Sequence, residues 1–133
     1  AAGECDIAVA NTYYFVRLMK SSKPEEKAAA AKIGVIFPNQ SGRGAHVNIS
    51  GAGVAKHAPH PEAAVRFLEY LASPEAQAYF AGGNNEYPVV GTLAAANREL
   101  ASLGEFRKDS LNVSLLGRNQ AAAQQIYDRA GWK

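Results

Sequence analysis

Cysteine occurs only once in these 133 residues, and so do tryptophan and methionine. A lone Cys5 excludes an intramolecular disulfide and a cysteine-rich metal site. It stands in a short apolar run with Ile7, Ala8, Val9 and Ala10, where a small buried hydrophobe is the expected role. No apolar run approaches the roughly 20 residues that cross a bilayer. Neither sign of charge dominates: 14 basic residues face 12 acidic ones, for a net charge of +2. The basic residues are scattered, with Arg43 and the pair Arg107-Lys108 as the only local features. The basic stripe of a nucleic-acid binder is therefore missing. The opening residues, Ala1-Ala2-Gly3-Glu4-Cys5-Asp6, carry neither a charged leader nor a long apolar stretch. Composition leaves the chain as cytosolic, as mature and exported, or as a piece of something longer.

Catalytic signatures are also missing. There is no Gly-x-Ser-x-Gly elbow. Ser50-Gly51-Ala52-Gly53 lacks the Gly-Lys-Ser/Thr of a phosphate loop. Glu62, Glu69 and Glu75 read as helix-surface or helix-start residues rather than an acid–base pair. His57 and His60 flank Pro59 in a loop, and His46 lies in an alternating segment. None of the three has metal-site spacing with an acidic partner. No catalytic residue is expected.

What is present alternates apolar runs with helical patterns. Residues 6–10, 33–37, 45–55 and 87–90 read as strands, the third because Val47 and Ile49 alternate with His46, Asn48 and Ser50. Asn11 occupies a helix N-cap position ahead of a helix over 12–20. A polar loop follows over 21–27, ending in a possible helical turn. Pro61 opens a helix whose Ala64, Val65, Phe67, Leu68, Leu71 and Ala72 share one face. Ser73-Pro74-Glu75 restarts a helix that Gly82-Gly83 should stop. Further helices are expected over 92–103, and over 120–130 between a capping Asn119 and Gly131. Strands alternating with helices argue an α/β architecture with a largely parallel sheet. Three or four strands are few for a self-sufficient sheet of that kind, which suggests an incomplete fold.

The strongest local signal is Asn11-Thr12-Tyr13-Tyr14 at an expected strand-to-helix junction, where open α/β sheets bind ligands. Two phenols there suit a hard, highly charged cation, which prefers anionic oxygen. Deprotonating a tyrosine at neutral pH costs about 4 kcal/mol. A trivalent ion offsets that by direct charge attraction, and a divalent ion offsets it much less. Such a site selects Fe³⁺, releases it on reduction and weakens in acid. From residue pattern alone, two tyrosines flanking a strand more often simply pack, with their hydroxyls on water or backbone. Arg43, between Gly42 and Gly44, can hold an anion or be a plain surface arginine.

Several blocks, in order, resemble the ferric-iron-binding periplasmic proteins of ABC transporters. They are Gly3-Glu4-Cys5-Asp6-Ile7-Ala8 leading to Asn11-Thr12-Tyr13-Tyr14, then Phe37-Pro38-Asn39-Gln40, then the stretch from Gly42 to Val54. Ser73-Pro74-Glu75-Ala76-Gln77, Asn85-Glu86-Tyr87-Pro88-Val89 and the ending Ile126-Tyr127-Asp128-Arg129-Ala130-Gly131-Trp132 continue the likeness.

The resemblance implies a two-lobe type II periplasmic-binding-protein fold, here an incomplete C-terminal part. It implies that residues 1–44 belong to the C-terminal lobe, 45–84 cross to the N-terminal lobe and 85–133 return. Tyr13 and Tyr14 become metal ligands, and Asn11 a neighbour that helps hold the anion, beside the pattern's own anion candidate, Arg43. The implied cargo is Fe³⁺ with a synergistic anion such as carbonate or phosphate. The implied partners are an upstream N-terminal part that supplies the remaining ligands and an ABC permease in the inner membrane, which places the protein in the periplasm. Three other readings stand beside it. The same fold could carry a non-iron solute with the tyrosines as cleft walls, an enzyme could reuse the fold, or the tyrosines could be core in a structural module.

Overall fold

The computed structural model describes residues 3–90 and 97–132. Its regular structure is helical: α1 Thr12–Met19, α2 Pro24–Ala30, α3 Pro61–Leu71, α4 Pro74–Tyr79, a π-helical segment Phe80–Asn84, α5 Arg98–Ala101 and α6 Ser114–Ala130. The sequence cues at the helix starts are realised for α3 and α4. Proline opens both, and the Ser73 hydroxyl accepts from the Ala76 amide at 3.3 Å. Proline also opens α2, within the stretch read mainly as a loop.

Three boundaries differ from expectation. Gly82-Gly83 do not end the helix. The chain continues through both as a π-turn, and Asn85 in the left-handed region (φ 61°) ends it. α6 begins at Ser114, with Val113 and not Asn119 at its N-cap, and Gly131 (φ 64°) closes it as expected. The helix expected over 92–103 is described only from Asn97 onward; residues 92–96 lie outside the described residues. There α5 covers Arg98–Ala101, with the Asn97 side chain accepting from the Leu100 amide at 2.8 Å.

The strands expected over 6–10, 33–37, 45–55 and 87–90 form no ladder among the described residues. Backbone pairing of that kind is limited to one parallel bridge, Ala45 with Lys108. A helix closes its hydrogen bonds within its own segment, but a strand closes them on a neighbour. The segments here lack that neighbour, and their apolar side chains face water: Ile7 is 85% and Val9 87% exposed. Cys5 is exposed with them, not buried as expected.

The chain divides into two compact units. The first comprises Ala1–Ile36 and Asn48–Glu105. In it α1 packs on α2 and α5, and α3 on α4. Val16, Ala30, Ala76, Ala81 and Leu100 are its buried apolar residues. The second comprises Phe37–Val47 and Phe106–Lys133. Phe37 stacks on Phe106 with centroids 4.2 Å apart. The Ala45 amide donates to Arg107 O and the Asp109 amide to Ala45 O, both at 2.8 Å. Gly44 makes this approach possible: it sits at φ 95°, and a Cβ there would come within 2.6 Å of Arg107 O.

Candidate metal centre

The tyrosines occupy the first turn of α1. Asn11 precedes the helix with an extended backbone (φ −73°, ψ 144°), and its carbonyl accepts from the Tyr14 amide at 3.2 Å. Its side chain does not cap the helix, contrary to expectation. Instead Asn11 Nδ2 donates to the Tyr13 hydroxyl oxygen at 2.9 Å. Successive helical residues point about 100° apart, yet the two rings lie with centroids 4.5 Å apart, tilted by 50°. The phenols are thus brought together at the point in a helix where such convergence is easiest.

Neither ring is sealed in a core. Tyr14 is 51% exposed and Tyr13 half-buried. Hydrogen bonding with Tyr13, followed by charge repulsion from it, pushes the Tyr14 phenol up from its ordinary value. Arg17, whose guanidinium carbon lies 5.8 Å from the Tyr14 ring centroid, pulls the other way. Two phenols that resist joint ionisation are a poor pair of free anions, but a good pair of ligands for an ion whose charge removes the repulsion.

Arg43 lies in the second unit, where its Nε donates to Asp109 Oδ2 at 2.6 Å. Burial pushes the Asp109 carboxyl up, but hydrogen bonds from Arg43 and the Leu111 amide, with the charges of Arg43 and His46, outweigh it. The net result is a carboxyl held below its usual range. Gln40 clips the same region, donating to Arg107 O and accepting from the Arg107 amide. Among the described residues, no three or more His, Cys, Asp or Glu side chains gather into a metal site. No helix there is long and apolar enough to cross a membrane.

Residues 1–107 match the family described as bacterial extracellular solute-binding protein. The chain belongs to that family. It is 50% identical, over its full 133 residues, to iron uptake protein A1 of Synechocystis sp., and covers 37% of that protein. It is 49% identical to iron uptake protein A2 of the same organism, covering 39% of it. The solved Trichodesmium protein IdiA (FutA), in complex with iron and citrate, superposes with a TM-score of 0.86 at 56% identity. That superposition takes in 93% of this chain and 39% of that one. The chain therefore spans about two-fifths of the relatives it matches, and its fold is that of part of a type II periplasmic binding protein.

Sequence reading missed two features around the tyrosines. Arg17 follows Tyr14 by three positions, the spacing at which helical side chains meet, so it was available from the pattern. The hydrogen bonds from Lys20, the residue that closes α1, to Gly82 O and Asn85 Oδ1 span more than sixty residues and leave no local trace.

Proposed function

We propose that the chain binds Fe³⁺ through the phenolates of Tyr13 and Tyr14 and serves in iron uptake as part of a two-lobe periplasmic receptor. The observation that carries this reading is the convergence of two accessible phenols on the first turn of α1, one of them accepting a hydrogen bond from Asn11. Membership of the solute-binding family supports transport rather than catalysis. The names of the two Synechocystis relatives, and the iron held by the Trichodesmium protein, support the choice of cargo.

Two phenolates fill two positions of an octahedral ion. The remaining ligands come from sequence upstream of residue 1 and from a synergistic anion, carbonate or phosphate, beside Asn11. In the full receptor, residues 1–44 and 85–133 belong to the C-terminal lobe and 45–84 to the N-terminal lobe. The lobes close over the ion, and the closed form delivers it to an ABC permease in the inner membrane.

A second reading takes the same pair as cleft walls for a non-iron solute; the stacking of Arg17 on Tyr14 favours it by offering a flat, cationic platform. Loading the chain from ferric citrate separates the two. Fe³⁺–phenolate ligation produces a visible charge-transfer band that Tyr13→Phe or Tyr14→Phe removes. A colourless protein whose melting temperature rises with an organic or inorganic anion would establish the second reading instead.

A further inference from the structure

α1 has only eight residues, too few to hold its own direction in water. Its orientation is set from outside, by packing on α2 and α5 and by a polar tie at its C-terminal end. Midway along the helix, Val16 is completely buried. At the C-terminal end, Lys20 Nζ donates to Gly82 O and to Asn85 Oδ1, both at 3.1 Å.

The receiving side of that contact is built. Asn85 (7% exposed) ends the π-helical segment in the left-handed conformation, and its Oδ1 also accepts from Asn97 Nδ2 at 2.9 Å. Asn97 (4% exposed) donates from the same nitrogen to Ala81 O at 2.7 Å. Its own oxygen accepts from the Leu100 amide that opens α5. The carbonyls of Ala81 and Gly82, at the π-turn, are thus both taken up. A buried network satisfied in this way is rigid, because moving one member leaves another unpaired in a low-dielectric setting. Lys20, which closes α1, joins that helix to the network and is exposed at the rim.

We propose that Lys20, anchored on Asn85 and Asn97, is a positioning residue for the Tyr13–Tyr14 pair. The proposal rests on the reading of that pair as the Fe³⁺ ligands. Lys20 acts through the helix axis. Apolar packing on α2 and α5 is non-directional and leaves small tilts of the axis open, whereas the two directional hydrogen bonds of Lys20 oppose them. A tilt of roughly 10° on a lever of roughly 8 Å would move a phenolate oxygen by about 1.4 Å, beyond the roughly 0.5 Å within which a site must be held.

The test uses the full receptor, upstream part included, loaded from ferric citrate, with the charge-transfer band and a competition titration as readouts. Lys20→Met keeps the aliphatic stem and removes the donor. It is expected to weaken apparent Fe³⁺ affinity about tenfold, the lower end for outer-shell substitutions, and to shift the band. Lys20→Arg, which can reach both acceptors, is expected to restore both to within about twofold. A residue with a merely structural role would lower the melting temperature and leave band and affinity alone, which would overturn the proposal. So would a Lys20→Arg variant that fails to rescue. If the wild-type chain gives no band that depends on Tyr14, the iron reading itself fails and this proposal falls with it. A wild-type band that Lys20→Met leaves intact sinks this proposal only.

Discussion

Asn11 gives its side-chain amide to the Tyr13 hydroxyl across 2.9 Å and not to the backbone of the helix it precedes. The residue occupies the position of a cap, yet its donor faces the oxygen that would carry negative charge on a metal. A hydrogen bond to a charged acceptor is worth about twice one to a neutral acceptor. Asn11→Ala should therefore weaken ferric binding about tenfold, corresponding to roughly 1.5 kcal/mol, while thermal stability without iron moves little. Competition against citrate, followed at the charge-transfer band, measures the first effect and thermal melting the second. An equal loss in both would make Asn11 a helix cap after all.

Ferric binding should also strengthen with pH. The Tyr14 phenol is pushed up by its neighbour Tyr13, so at neutral pH it carries its proton and must release it to the solvent on binding. Each proton released contributes about one decade of affinity per pH unit, so release from Tyr14 adds about one to the slope between pH 6 and 8. Tyr14→Phe should reduce that slope by about one as well as bleaching the band. Titrations at three pH values decide the matter, and an affinity flat across the range would mean that phenolates are not the ligands.

The starts of α3 and α4 were legible because their determinants are local. Pro61, Pro74 and Ser73 act within three or four residues of themselves, and the structure uses all three as the pattern suggests. The tyrosine pair was legible for the same reason, since two phenols on one helical turn cannot be far apart. Strands were not, because a ladder is a property of two segments: Ile7 and Val9 are exposed and pair with no strand among the described residues. Gly82-Gly83 misled because glycine permits a helix end without imposing one. The end falls at Asn85, where hydrogen bonds from Lys20 and Asn97 hold the side chain. Those bonds join residues far apart in sequence, and no periodicity announces them.

The second unit offers a prediction free of any metal. Gly44 is needed twice over, once for its φ of 95° and once because Arg107 O occupies the space of a Cβ. The clashing atoms are backbone, which cannot swing aside. Gly44→Ala should cost at least about 2 kcal/mol and loosen the Ala45–Lys108 bridge, while the first unit, including Val16 and Leu100, keeps its packing. Amide hydrogen exchange reads the two separately. Faster exchange at Ala45 and Asp109, with α1 protected as before, is the expected result; uniform change in both units would refute it.

The Arg43–Asp109 pair gives the same unit a signature in acid. Its carboxyl is held below the usual carboxylate value of 3.8, so the folded state prefers the ionised form. A depressed value of this kind contributes stability that is fully present above the unfolded-state value and disappears as pH falls through the folded-state value. The contribution should therefore be intact at pH 5 and above and should fade below about pH 4. Asp109→Asn removes the charge at every pH. The melting temperature of the variant should lie below that of the wild type at neutral pH, and the two curves should converge as the solution approaches pH 2. Added salt should narrow the neutral-pH gap as well, because Arg43 is open to solvent and its attraction is screened. A gap that persisted unchanged into strong acid would show that the charge of Asp109 is not what stabilises the unit.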